Sequence, residues 1–349
     1  MPDGRQVHGL WQNRDGDVIR FDNELSIVSG TKYISERRTT HHWIARQLRQ
    51  TGSNEWKGDI YYQHPSTLGV SKVEITFNPF GIVPLAVTLK GGSDSFASNF
   101  EMNDLRSRYF RTVDLEMATE GNVILDYVTS YNTHEHPNRP NDLPNLNLTI
   151  VNVFEKAGID IRIHEGRNDV PISKDDREWD DNELNQAMLE YCKLPIKDKT
   201  WTIWFLNASM YTRDTTAGIM FDGYDQYQRH GSALFNLCDY FTPPADDPNP
   251  EAWIRREKFK TTIHEIGHCF NLYHSREKEC VVPWISLENE NNARSFMNDR
   301  SHDVYNFTLH ERFYADFHFT FTKEEILFMR HAPDEFVQMG NSEIGYSHG

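Results

Sequence analysis

The chain is poor in cysteine, with only Cys192, Cys238, Cys269 and Cys280 in 349 residues. That is too few for a disulfide framework. It is also short of positive charge, with Lys plus Arg at 36 against Asp plus Glu at 52 and a net charge of -16. This disfavours binding to a phosphate backbone, and no basic stripe with interleaved aromatics offsets it, so no nucleic-acid partner is expected. No apolar run approaches the roughly 18 residues of a membrane span. Met1 to Gly9 is polar and lacks the apolar core of a signal peptide. The expectation is a soluble, cytoplasmic chain, with leaderless export or a removed leader left open. Internal repeats and low-complexity tracts are absent as well.

At 349 residues there is room for two domains. Residues 1 to about 135 carry alternating, β-branched and aromatic stretches: Asp17–Phe21, Asp59–Tyr62, Val73–Phe77 and Val83–Leu89. Turn clusters at Asn78–Gly81 and Lys90–Ser93 punctuate them. Short strands at this spacing predict a β-sandwich or small barrel. Prolines 137, 140 and 144 among polar residues mark a boundary between Thr133 and Pro144, dividing the chain into 1–138 and 139–349. Trp11, Trp56, Tyr61 and Tyr62 offer a platform for a protein or glycan if exposed, and fill a sandwich core if not. His41-His42 has no ligand spacing and reads as surface.

The most informative stretch is His264-Glu265-Ile266-Gly267-His268-Cys269-Phe270-Asn271-Leu272-Tyr273-His274. On a helix, His264 and His268 lie about 40° apart on one face, one turn from each other, so both imidazoles reach one ion. Glu265 is rotated about 100° from His264, placing a carboxylate beside that ion rather than on it. Such a carboxylate takes a proton from an attacking water and returns it to a leaving amine. His274 joins the pair only if the chain turns sharply after Asn271. Asparagine is the best tolerated residue after glycine in the left-handed conformation this requires. Phe259, Ile263, Ile266 and Phe270 form an apolar stripe on the opposite face, and Pro248 and Pro250 set a helix start near Glu251. Three histidines with a neighbouring carboxylate suit an open catalytic metal position better than a closed structural site. Cys269, rotated about 140° from His264, is not placed to be a ligand. It flanks His274 together with Cys280, and the two either pair or stay as reduced, half-buried thiols.

These residues resemble the metzincin clan of zinc peptidases, whose signature is H-E-x-x-H-x-x-G-x-x-H followed downstream by a methionine turn. The chain departs at one position, Asn271 for glycine. The resemblance implies one catalytic Zn²⁺ on His264, His268 and His274, with Glu265 as general base and acid. It places the methionine turn at Ser295-Phe296-Met297-Asn298, with Met297 23 residues beyond His274. Some members carry a tyrosine two residues after that methionine as a transition-state stabiliser. Here Asp299 stands there, and Tyr305 is the candidate replacement. No cysteine precedes Cys192 in these residues, so latency through an N-terminal thiol on the metal is not expected.

The implied fold is α+β, a metzincin-like catalytic domain behind the β-rich region, and the resemblance covers roughly residues 144 to 335. The order of elements is compatible with it: a helix over Leu146–Lys156, a strand over Ile159–Ile163 and a helix over Asn182–Cys192. Strands follow at Trp201–Leu206, Ala217–Phe221 and Ala233–Leu237, then the active helix. A last helix opens at Thr322, where Thr322 and Glu325 form a capping box. The strand around Ser232–Asn236 is expected to be the sheet edge that a polypeptide substrate joins. Three alternatives stand beside this reading. Glu288 or Glu290 replaces His274 as third ligand, the fold is a latent binding protein, or the same chemistry hydrolyses a non-peptide amide or ester.

Overall fold

A computed structural model describes residues 6–34, 39–64, 66–92, 99–121, 128–171, 178–196, 200–212, 215–221, 229–279, 287–298 and 310–341. The protein is mixed α+β and divides into two compact units. The first comprises Met1–Arg111 with Arg330–Pro333, and the second Thr112–Met329 with Asp334–Gly349.

Among the described residues, the first unit forms one antiparallel sheet of nine strands: β1 Gly9–Gln12, β2 Val18–Asp22, β3 Ile27–Ile34, β4 Thr39–Gly52, β5 Glu55–His64, β6 Lys72–Phe77, β7 Leu85–Lys90, β8 Asn99–Met102 and β9 Asp104–Ser107. Their order is β8-β7-β6-β5-β4-β3-β2-β1-β9, and β8 approaches β2, so the sheet curls toward closure. The pattern of β6 shows why: Val73, Ile75 and Phe77 point inward while Lys72, Glu74 and Thr76 point out. Inside, Trp43 packs edge-on against Phe100 at 5.8 Å and Phe21 against Trp56 at 5.3 Å. Gly30 lies opposite Trp43 in the β3–β4 register, where a Cβ would come within 2.6 Å of the indole. Trp11 and Trp56 are therefore core residues and not a platform. Tyr61 is exposed, with the Arg46 guanidinium 3.7 Å above its ring, and Tyr62 is half-buried.

His41 and His42 are buried, contrary to the surface position expected for them. His42 bonds Thr31 Oγ1 through Nδ1 (2.8 Å) and the His331 carbonyl through Nε2 (2.9 Å). His331 in turn bonds Ser29 Oγ (2.9 Å) and Asp22 Oδ2 (3.3 Å), and Arg330 donates to Asp22 Oδ2 at 2.7 Å. Burial pushes the His331 imidazole down to about 4, so it is neutral at pH 7. Burial alone would raise the Asp22 carboxyl. The hydrogen bond from His331 and the charge of Arg330 outweigh it and hold Asp22 below the usual carboxylate range.

The second unit is built on a five-stranded sheet. Its strands are β10 Arg111–Thr119, β13 Ile159–Glu165, β15 Thr202–Ala208, β17 Gly218–Phe221 and β18 Gly231–Phe235, in the order β13-β10-β15-β18-β17. Two small sheets pair β11 Ser130–Asn132 with β12 Asn147–Thr149, and β14 Glu178–Trp179 with β16 Met210–Tyr211. The helices among the described residues are α1 Ile150–Lys156, α2 Asp181–Tyr191, α3 Pro250–Cys269, α4 His310–Ala315, α5 Lys323–His331 and α6 Asp334–Val337.

The division falls at Arg111, ahead of the proline-marked stretch at Thr133–Pro144. The reason is β10, which runs parallel to β15 from Asp114↔Thr202 to Thr119↔Asn207 and so already belongs to the second sheet. Helix α1 starts later than Leu146, because Leu148 pairs with Tyr131 before Thr149 caps the helix. β15 is buried along its whole length, as a strand covered on both faces must be. β18 is not an edge. It lies between β15, to which it is parallel, and β17, to which it is antiparallel, so β17 is the outer strand among the described residues. No helix among the described residues is long and apolar enough to cross a membrane.

Candidate metal centre

Helix α3 carries the site. Asn249 caps its first turn by accepting from the Ala252 N–H, and Pro250 occupies the first helical position, where its missing donor costs nothing. Phe259, Ile263, Ile266 and Phe270 are all buried, and Phe270 stacks on Phe154 of α1 at 5.5 Å. Anchored by that face, the helix presents His264, Glu265 and His268 on the other.

The helix ends as the expected turn. Asn271 has φ 65°, the left-handed conformation, and its N–H bonds back to the His268 carbonyl at 2.8 Å. Its side-chain amide also donates to the Phe336 carbonyl at the end of α6 (2.8 Å), a bond glycine cannot make. The reversal brings His274 back toward the helix. His264 Nε2 then stands 3.0 Å from His268 Nε2 and 3.2 Å from His274 Nε2. Two nitrogens bound tetrahedrally to one zinc would be about 3.3 Å apart, so the spacing fits.

The other ring nitrogens settle the tautomers. His264 Nδ1 faces the Phe296 carbonyl at 2.7 Å, His268 Nδ1 the Leu272 carbonyl at 2.6 Å, and His274 Nδ1 the Glu277 carboxylate at 2.8 Å. Each acceptor assigns the ring proton to Nδ1 and turns the Nε2 lone pair toward the other two rings. Three lone pairs converging at this distance repel one another unless a cation sits among them, so the cluster can hold a metal ion. His264 and His268 are buried and His274 is half-buried, which leaves an open side.

Glu265 is buried beside the cluster, against β17. A Cβ added to Gly218 would fall 2.8 Å from Glu265 Oε1, so glycine there allows the edge strand to run close over the carboxylate. Met297 is fully buried, and a Cβ on Gly267 would lie 2.4 Å from its sulfur. The methionine thus packs directly on the helix backbone between the two helical histidines. Its neighbour Phe296 supplies the carbonyl that orients His264.

Among the described residues no carboxylate joins the three histidines. Glu288 is exposed, and Glu290 pairs with Lys278 and accepts from Thr322 Oγ1 at 2.7 Å. Neither takes the place of His274. Tyr305, Asp299 and Cys280 lie outside the described residues, and Cys269 is buried, its thiol 4.0 Å from the Gly231 carbonyl. The sequence reading missed Glu277 and the Phe296 and Leu272 carbonyls. Only Glu277, three residues after His274, left a trace that spacing alone would have found.

A scan of family models and a search of curated proteins find no match to the chain.

Proposed function

We propose that this chain is a zinc-dependent endopeptidase whose second unit is metzincin-like, with His264, His268 and His274 as the metal ligands. The observation that carries the reading is the convergence of three Nε2 atoms, with that of His264 3.0 and 3.2 Å from the other two, beside the buried Glu265. Three neutral imidazoles with an open side are the donor set of catalytic zinc. Zinc, when bound, supplies Lewis acidity to a carbonyl oxygen and to water. Glu265 accepts the proton of the attacking water and delivers it to the departing nitrogen. The polypeptide aligns along the edge strand β17, whose Gly218 leaves room over Glu265, by adding a strand to the sheet. Met297 supports the ligands from the helix side.

The test is metal content and digestion of a peptide library by wild type, His274→Ala and Glu265→Gln. Wild type and Glu265→Gln are expected to hold about one zinc per chain, and His274→Ala to lose it or bind it far more weakly. Glu265→Gln should cut turnover by about 10²–10⁴-fold with the metal retained. Zinc without cleavage of any peptide would overturn the peptidase reading in favour of a binding protein. Cleavage confined to small amides or esters would replace it with another hydrolase.

A further inference from the structure

Behind the histidines lies a second polar cluster that the metal chemistry itself does not use. Its centre is Glu325, the third residue of α5, whose side chain is fully buried. Glu325 Oε1 accepts from Ser275 Oγ at 2.8 Å and from Lys278 Nζ at 2.9 Å. Oε2 accepts from Ser295 Oγ and from the Thr322 N–H, the latter at 2.8 Å. The Glu325 N–H donates to Thr322 Oγ1 at 3.2 Å, completing a capping box.

The box by itself is a local device of one helix. The two serines are different, because each adjoins a group that fixes a histidine. Ser275 directly follows His274, and its N–H donates to the Met297 carbonyl at 3.0 Å. Ser295 directly precedes Phe296, whose carbonyl holds His264, and its hydroxyl also accepts from the Met297 N–H at 3.1 Å. One carboxylate therefore grips the segment that carries His274 and the turn that orients His264. Lys278 offsets the buried charge, which an unpaired carboxylate at this depth would not tolerate. Charge-assisted bonds of this kind are roughly twice as strong as neutral ones, so the grip is stiff.

We propose that Glu325 is a positioning residue for the metal centre, holding the His274 segment and the Phe296–Met297 turn in fixed register. The proposal rests on reading the three histidines as a metal site. Outer partners of metal ligands are typically worth 10–100-fold in affinity.

The experiment compares zinc affinity, by competition with a chelating dye, and thermal stability of the metal-free protein. It uses wild type, Glu325→Gln and Thr322→Ala. Glu325→Gln keeps the shape but removes the charge and an acceptor. It is expected to weaken zinc binding about 10–100-fold, with turnover largely recovered at saturating zinc. Thr322→Ala breaks the capping box and leaves Ser275, Ser295 and Lys278 on the carboxylate. It should lower the thermal unfolding midpoint of the metal-free protein by about 2–4 °C while zinc affinity stays within about threefold. Unchanged affinity in Glu325→Gln would overturn the proposal, as would affinity that falls in both variants in step with stability. Should Glu325→Gln fail to fold, Ser275→Ala and Ser295→Ala each remove one donor from a carboxylate still paired with Lys278. Full zinc affinity in both would equally overturn it. Wild type that binds zinc without cleaving peptides removes the peptidase reading and leaves this one standing, whereas wild type that binds no zinc removes both.

Discussion

Both units bury histidines, and they spend the ring nitrogens differently. In the first, His331 is bonded on one side to Ser29 and on the other to Asp22, and His42 to Thr31 and a carbonyl. Those rings are closed: each nitrogen is used to join strands and a returning segment. In the second, His264, His268 and His274 each give Nδ1 to an acceptor and direct Nε2 at the other two. A histidine cluster can hold a metal ion when the protein saturates one edge of every ring and aims the other edges at a point. His42 and His331 are buried, and so are His264 and His268, so burial does not separate the two places. The acceptors make the difference.

The largest effect that would break this comparison is expected at Asp22. Asp22→Asn keeps the shape of the closed cluster but takes the buried carboxylate away from Arg330 and leaves it beside the exposed Glu24 carboxylate. A loss of about 3–5 kcal/mol is expected in denaturant unfolding. A loss below about 1 kcal/mol would mean that the cluster carries little of the first unit's stability.

The next effect is set by pH. His331 titrates near 4 in the folded protein, below its ordinary value of 6.5. The unfolded chain therefore binds the proton first as pH falls. The His331 contribution is fully present above 6.5 and is lost as pH drops from 6.5 toward 4, amounting to roughly 3 kcal/mol. Asp22, held ionised in the fold, adds a further loss only below its ordinary value of 3.8. The stability difference between wild type and His331→Gln should narrow across the upper window as pH falls. Curves that stay parallel from pH 7 to 4 would place the ionisation elsewhere.

The smallest effect sharpens the open cluster. Asn271→Gly preserves the left-handed turn and deletes the bond to the Phe336 carbonyl. A cost of about 1 kcal/mol with zinc binding retained is expected. Asn271→Ala, strained at φ 65°, should cost about 1–2 kcal/mol more. Equal stability of the glycine and alanine variants would refute the strain argument.

Much of the site was legible because it is local. His264, Glu265, His268, Asn271 and His274 sit on one helix and its terminating turn, and helical rotation plus the φ preference of asparagine is enough to bring them together. The capping box at Thr322 was readable for the same reason. What lies between distant segments was not. The order of β17 and β18 depends on how the chain re-enters the sheet, so the edge strand was assigned to the wrong one of the two. His41 and His42 looked like surface because their partners, Thr31 and the His331 carbonyl, come from another strand and from the far end of the chain. The carboxylate of Glu325 was visible as a helix cap, and its hold on Ser275 and Ser295 was not.

The first unit's discontinuity bears on how the protein is made. Asp22 leaves the ribosome ahead of Thr112–Met329, and Arg330 and His331 follow only after that segment of the second unit has been synthesised. At about 5–20 residues per second, the interval from Arg111 to Arg330 is roughly 10–45 s. Throughout that interval Asp22 has neither of the partners that make its burial tolerable. The strands can pair, but the first unit is completed only after the 112–329 segment of the second has been made.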